Sequence, residues 1–505
     1  MPSSSDMDHE PSRLFDRPGY ISLKEYVNDL EGMRRSGPWK LPLGAGDRVH
    51  FFFLSLMARF SWFSDALYVA NPHTWSPSYS IIIAYLKRKG LFDDVVELSL
   101  RYRGYFSYYF RKNVPLNGKT WEITGQGVSE DRSLALSKSI GEMIERMVTG
   151  LHDENTNIMV ASPDELLGAK PVLYPPIYHR FLEVQHATQK KLHQDKKSLI
   201  SWVLGENILT KERTYIPRQM TSWFYGVRNG KEIMMNPTSS GSACYFSKEG
   251  ALLRGLLEVT HRDAFMVHWL TQIPPKVIVR NTLPEKIQAM IRTFEDVGLS
   301  VYALDITSIP IPSVCVVLIS DQSEIPQVVV SAASALTFEQ SLHNALEEMM
   351  TCSSILFNED GVQLKDASTV TDPFISNISK ISRQLYWRGK EKVKKFEWFI
   401  SGGKVSYEDL RKYEILSEEN DADKLEKCVE VLKKMGADYY PVAYFPKNDI
   451  PANLGLHVAQ VYIPKAFPLY LVEQYGTFDS DRLREFATSK GVAQWELNPL
   501  PHMFS

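Results

Sequence analysis

The stretch from Ser129 to Met147 reads SEDRSLALSKSIGEMIERM, and its spacing decides how the rest of the chain is read. Ser129-Glu130-Asp131 supplies side-chain acceptors for the free N–H groups of a helix start. Leu134, Leu136, Ile140, Met143, Ile144 and Met147 then recur at three- and four-residue intervals. The pattern predicts an amphipathic helix with one face in a core. On the other face Glu142, Glu145 and Arg146 stand at i, i+3 and i+4, so two carboxylates and a guanidinium leave neighbouring positions on one side. Taken alone, the cluster is most simply a solvated Glu142–Arg146 ion pair, worth about 0.3–0.5 kcal/mol.

Repetition of the pattern points further. After the small-residue loop Asn236-Pro237-Thr238-Ser239-Ser240-Gly241-Ser242-Ala243 comes a second helical run with Leu252, Leu253, Leu256 and Leu257, carrying Glu258, His261, Arg262 and Asp263 at the same spacing. A third opens with Thr337-Phe338-Glu339-Gln340, which has the form of a capping box, and continues through Leu342, Ala345, Leu346 and Met349 with Glu347 and Glu348 beside them. Carboxylates gathered round one cavity repel one another unless a cation neutralises them. Hard oxygen donors favour Mg²⁺, which in turn prefers bridging phosphates. The hydroxyl- and glycine-rich loop before the second helix can donate hydrogen bonds to phosphate oxygens. With no GxxxxGK[ST] and no GxGxxG after a strand, a P-loop or dinucleotide-binding mode has no support.

Outward from these helices, Val277-Ile278-Val279, Val301 to Leu304, Val314 to Ile319 and Val328-Val329-Val330 read as strands alternating with helices, an α/β or α+β layout. With 505 residues, 44% of them hydrophobic, the chain can bury a large core. Its 57 basic and 60 acidic residues leave a formal charge of −3, with no positive field for nucleic acid or an anionic membrane. The four cysteines are widely spaced and form neither a zinc pattern nor a disulfide framework, so a reducing cytoplasm is expected, as is the absence of a secretion signal. Residues 1–18 are expected to be a disordered start, 19–117 a small N-terminal region without a readable motif, and 118–505 the main domain. The lysine-rich stretches Gln185 to Lys197 and Lys390 to Lys395 read as solvated surface.

In their order, these blocks resemble the YcaO-domain family from about Gly118 to the C-terminus. Gly125-Gln126-Gly127, Ala135 and Gly141 to Arg146 look like its first nucleotide-binding helix, ending in ExxER. Thr238 to Ala243 with Gly255 to Asp263 look like its second block, and Ser341 to Glu348 like its third. Gly455 to Val458, Val461 to Pro464 and Leu497 to His502 are similar to its last strands and proline-rich tail. The resemblance implies an α/β domain with mixed sheets and amphipathic helices round an ATP and Mg²⁺ site. Glu142, Glu145, Glu258 and Glu348 would hold the metal, and Ser239, Ser242, Arg146, His261 and Arg262 would serve the nucleotide. Pro501 and Ser505 belong to the tail that reaches the active site in azoline-forming relatives, where the terminal carboxylate would aid proton transfer.

The sequence departs from the family pattern at Lys138, where many members have a small or hydroxyl residue. His261 replaces the second glutamate of ExxER, Thr351 replaces a glutamine, and the ending Pro501-His502-Met503-Phe504-Ser505 lacks two prolines. Either a second metal ion is lost, moved or held through water, or His261 simply hydrogen-bonds within the site. The activity implied is ATP-dependent activation of a backbone amide in a ribosomally made precursor peptide. A neighbouring Cys, Ser or Thr then gives a thiazoline or oxazoline; sulfide would give a thioamide and an amine an amidine. A leader-peptide-binding partner protein is implied, a homodimer is admitted, and the rival is a catalytically reduced scaffold subunit.

Overall fold

The computed structural model describes residues 20–22, 68–70 and most of 83–504. The stretches 151–157, 174–196, 225–237, 321–326, 358–385 and 471–480, with shorter interruptions, lie outside the described residues. So do residues 1–18, nearly all of the first lysine-rich stretch, and Ser505. The fold is mixed α/β, and its contacts divide the chain into two units. One comprises 1–99, 106–114 and 120–143, the other 100–105, 115–119 and 144–505.

In the first unit, strands β1 (Asp94–Leu98), β2 (Phe106–Leu116) and β3 (Lys119–Ser129) form a three-stranded sheet in that order. The helix expected after Ser129 is α1, Arg132–Gly150, and the boundary between the units falls within it, after Met143. Asp131 caps it, its Oδ1 accepting from Leu134 N at 2.8 Å. Ala135, Leu136, Ile140 and Met143 are buried. The two glycines of β3 allow a close approach: a Cβ on Gly125 would stand 2.5 Å from Met143 N, and one on Gly127 2.2 Å from Ala135 O. Strand backbone and helix backbone therefore touch directly.

The second unit contains two sheets. Its elements run β4 (Met159–Ala161), β5 (Ile200–Asn207), β6 (Arg213–Pro217), β7 (Ser242–Tyr245), α2 (Lys248–Thr271), β8 (Lys276–Ile278), α3 (Glu285–Glu295), β9 (Leu299–Asp305), β10 (Ser313–Ser320), β11 (Val328–Ser334), α4 (Phe338–Phe357), β12 (Lys404–Val405), α5 (Asp421–Met435), β13 (Val442–Tyr444), β14 (His457–Tyr462) and α6 (Asp481–Ser489). One sheet has the order β11-β10-β9-β8-β12; the other has β4-β5-β13-β14-β7, with β6 also on β5. All four strand runs expected from the sequence fall in the first of these. Its pairings are antiparallel except β8 with β12.

Helix α2 packs on β14 and β7 of one sheet and on β11 and β10 of the other. Its sequence explains that central place, because Ala264-Phe265-Met266-Val267-His268-Trp269-Leu270 is buried on every side, whereas a helix with one wet face would alternate. Helix α4 covers β11 and β10, with α3 beside it. At its start only half of the expected capping box forms. Thr337 Oγ1 accepts from Gln340 N at 3.2 Å, but the Gln340 amide turns to Asn344 rather than back to the Thr337 backbone; the next amide, Phe338 N, donates to Glu414 Oε1. The second lysine run forms a short helix, Lys390–Phe396, with Lys390, Lys394 and Lys395 exposed as expected.

Candidate active site

Glu142 belongs to the first unit, and Glu145, Arg146, Glu258, His261, Arg262 and Glu348 to the second. Glu142 Oε2 accepts from Gln126 N at 2.5 Å, a contact the flanking glycines permit by letting β3 lie on α1. One turn on, Glu145 and Arg146 are half-buried. Burial pushes the Cys244 thiol up and the negative charge of Glu145 adds to it, which puts Glu145 within electrostatic reach of β7.

The loop ahead of β7 is built onto α2. Gly241 has φ +80°, a left-handed conformation, and a Cβ there would lie 2.0 Å from Val461 O. Gly255 completes the fit, since its own Cβ would meet Gly241 O at 2.4 Å. Held this way, Gly241 N donates to Glu258 Oε2 at 3.0 Å, and Val461 N donates to Gly241 O at 2.8 Å. Arg262 grips the other oxygen of Glu258, with Nε 2.9 Å and Nη2 2.7 Å from Oε1. One carboxylate thus joins helix, loop and guanidinium through charge-assisted hydrogen bonds, with both arginine nitrogens meeting on the same oxygen.

The glycine serves packing rather than a row of backbone donors. Ser240 N goes to Thr238 Oγ1 and Ser242 N to Ser239 O, so the N–H groups of 240, 241 and 242 are all used within the protein. What the loop offers outward is hydroxyl. Thr238 Oγ1 donates to Ser240 Oγ at 2.7 Å, which leaves the Ser240 proton available. Thr238, Ser240 and Arg262 line a hollow closed by Met220, Val259 and the segment Val461 to Leu469. Of the two serines picked out in the sequence, Ser239 sits in the turn, while Ser242 is buried with its Oγ taking a hydrogen bond from Gln460 Nε2 at 3.1 Å. Thr238 and Ser240 were not singled out, because only the turn geometry separates them from their neighbours.

His261 is held down to about 3, chiefly by burial and then by the Arg262 charge, against a hydrogen bond with the Leu257 carbonyl that favours protonation. Its imidazole is therefore neutral at physiological pH, and its ring lies 6.0 Å from that of Phe504. Next to it Asp263, fully buried, is an anchor. Its Oδ1 accepts from Phe467 N (2.7 Å) and Arg482 Nε (2.8 Å), and its Oδ2 accepts from Ser308 Oγ (2.7 Å) and Arg482 Nη2. On α4, Glu347 is buried near His343, whereas Glu348 is exposed with Cys352 Sγ 3.8 Å from its Oε1.

The C-terminal segment runs back along α2. Asn498 N donates to Leu270 O, Trp269 Nε1 to Leu500 O, and Trp387 Nε1 to Pro501 O, at 3.0, 3.2 and 3.1 Å. His502 Nε2 lies 2.6 Å from Tyr470 O. Pro501 is accordingly buried among tryptophans, level with Trp269 and about 10 Å along the helix axis from Arg262. Phe504 reaches the site, with the Arg262 Cζ 5.5 Å from its ring centre. Ser505 is outside the described residues.

The donors suit a magnesium nucleotide. Among the described residues no three His, Cys, Asp or Glu side chains form a ready metal cluster. Mg²⁺ does not need one, since it commonly takes one or two carboxylates and completes its shell with phosphate and water. Hard carboxylate oxygens, hydroxyls and a fixed guanidinium are the groups present.

Fold and site together define a mixed α/β protein in which Glu258, Arg262 and the hydroxyls of Thr238 and Ser240 stand together at the middle of one central helix. A family model described as YcaO cyclodehydratase, ATP- and Mg²⁺-binding, matches residues 124–466, and the chain belongs to that family. No curated protein matches it. Among solved structures it is similar to a heterocyclase in complex with substrate and cofactor, at 14% identity and TM-score 0.65. That match covers 82% of this chain and 55% of the other, so the chain spans about half the heterocyclase's length. It is also similar to YcaO from Methanopyrus kandleri bound with AMPPCP and Mg²⁺ (16% identity, TM-score 0.59, 81% and 95% covered). A third is the E. coli microcin synthetase McbBCD complex with pro-MccB17 bound (13% identity, TM-score 0.52, 81% and 97% covered). At these identities the likeness is one of fold. Among the described residues no helix is long and apolar enough to cross a membrane.

Proposed function

We propose that this chain uses Mg²⁺ and ATP to activate a backbone amide of a ribosomally made precursor peptide, with cyclodehydration at Cys, Ser or Thr the favoured outcome. The observation that carries the proposal is Glu258, bound at once by Arg262 and by the Gly241 amide beside a hollow lined by Thr238 and Ser240. When bound, ATP supplies the phosphoryl group with which the amide oxygen leaves. The protein's part is positioning and charge neutralisation, which needs no nucleophilic side chain. Arg262, locked by Glu258, holds a positive charge on the hollow. Ser240, oriented by the Thr238 hydroxyl that donates to it, offers its own proton to a phosphate oxygen, and Glu142, Glu145 and Glu258 serve as metal ligands, with Glu348 a fourth. Pro501 anchors the tail through its carbonyl, which accepts from Trp387 Nε1. A precursor peptide, a leader-binding partner protein and a cytoplasmic location complete the proposal, which takes support from the substrate and synthetase complexes of the structural relatives.

The test is mass spectrometry of precursor peptide co-expressed with the chain and its partner. Loss of one water per modified residue marks an azoline, exchange of oxygen for sulfur a thioamide; an unmodified peptide with no phosphate released refutes the proposal. A second function, a scaffold that binds peptide without turning over ATP, draws on the neutral His261 packed against Phe504. Phosphate release separates the two.

A further inference from the structure

Two departures from the family pattern, distant in sequence, meet in space: His261 on α2 and Phe504 in the C-terminal segment, whose rings lie 6.0 Å apart. The Phe504 ring rests on Phe265 at 5.0 Å between centroids, and the Arg262 guanidinium lies over the Phe504 ring with Cζ 5.5 Å from its centroid. Arg262 spends Nε and Nη2 on Glu258 Oε1, so among the described residues Nη1 is the nitrogen without a protein acceptor. Arg262 also lines the hollow. Histidine at 261 leaves Glu258 as the one carboxylate of this turn that directs the guanidinium, and the aromatic ring is its second support.

We propose that Phe504 is a positioning residue: its ring, seated on Phe265, holds the Arg262 guanidinium against Glu258 and over the hollow, and so sets the affinity for a nucleoside triphosphate bound there. The inference rests on the nucleotide function proposed above. Cation–π attraction is strongest where water is excluded, and both groups here are largely covered. The placement of Phe504 does not depend on its own side chain. The segment is pinned upstream by the contacts of Asn498, Leu500, Pro501 and His502 with α2, Trp387 and Tyr470. Replacing the ring should therefore free Arg262 without releasing the tail.

The experiment is calorimetric titration of the full chain with AMPPCP in the presence and absence of Mg²⁺. Phe504→Leu keeps apolar bulk and removes the π face; the affinity for Mg²⁺·AMPPCP should fall about tenfold. Phe504→Tyr keeps the face and should rescue binding, with thermal midpoints alike in both variants. In an Arg262→Gln background Phe504→Leu should cause no further loss, because the partner it positions is gone. Equal loss in Leu and Tyr variants, equal loss in both backgrounds, or wild-type affinity in Phe504→Leu would overturn the proposal while leaving the nucleotide site standing. A wild-type chain that binds no AMPPCP would overturn the nucleotide function itself and this inference with it.

Discussion

Replacing Asp263 by Asn tests how the wall of the hollow is held. The side chain is fully buried, pairs with an Arg482 that is only 5% exposed, and accepts from Phe467 N and Ser308 Oγ as well. Asparagine keeps the shape, removes the charge and turns one acceptor into a donor that faces two other donors. The guanidinium is left buried without its counter-ion. Breaking a buried pair from one side costs about 3–5 kcal/mol, which in a domain of this size corresponds to roughly 4–6 °C in thermal midpoint. Two further effects follow from the geometry. Phe467 belongs to the segment that closes the hollow, so nucleotide affinity should fall in the same variant. The double change Asp263→Leu with Arg482→Met removes both charges and should recover part of the lost stability, because well-packed apolar groups often replace a buried pair without loss. Circular dichroism melts of the three proteins decide the matter. An Asp263→Asn midpoint indistinguishable from wild type would refute the anchoring role.

Further outcomes can be stated briefly. Gly241→Ala places a Cβ 2.0 Å from Val461 O at a φ of +80°, and should lower stability by at least about 2 kcal/mol in urea titrations while weakening AMPPCP binding. His268, buried with its Nδ1 2.7 Å from Ile273 O, is held down to about 3 by burial. The unfolded chain takes up a proton near pH 6.5 that the folded protein refuses, so stability is complete above that pH and falls as pH drops toward 3. The loss at pH 5 should be roughly 2 kcal/mol, and His268→Gln should flatten the difference between pH 7 and pH 5 in denaturant midpoints. On α4, Glu347→Gln should lower the melting point, since that side chain is buried, whereas Glu348→Gln should leave it unchanged. Its effect on ATP turnover then reports on the fourth metal ligand.

Much of the fold was legible because periodicity carries it. The strand runs appear where β-branched residues cluster, and the helices bearing Glu142 and Glu348 start at caps visible in the sequence, Asp131 and Thr337, whereas Ser247, which caps the helix bearing Glu258, was not picked out. The Gly125-Gln126-Gly127 and Gly241 positions were visible as motif, and their reason, contact of backbone with backbone, emerged only in three dimensions. Long-range pairings left no local trace. Asp263 and Arg482 lie 219 positions apart, and nothing around either residue announces the other. Faces within a turn were equally hidden. Whether Thr238 and Ser240 or Ser239 and Ser242 look into the hollow depends on the left-handed Gly241, and Glu347 and Glu348, adjacent in sequence, point about 100° apart round a helix. That the tail approaches the site was expected only through the family resemblance, and neither its path along α2 nor the meeting of Phe504 with Arg262 was expected at all.

Mg²⁺-dependent binding of AMPPCP to the wild-type chain and to Glu145→Gln and Glu258→Gln tests the metal–nucleotide site most directly. Each substitution keeps size and removes one negative charge, and the loss of a charge-assisted contact should weaken binding by about 30- to 100-fold with the fold intact. Wild-type affinity in both variants, or binding by the wild type that is indifferent to Mg²⁺, would contradict the proposal that these carboxylates hold the metal.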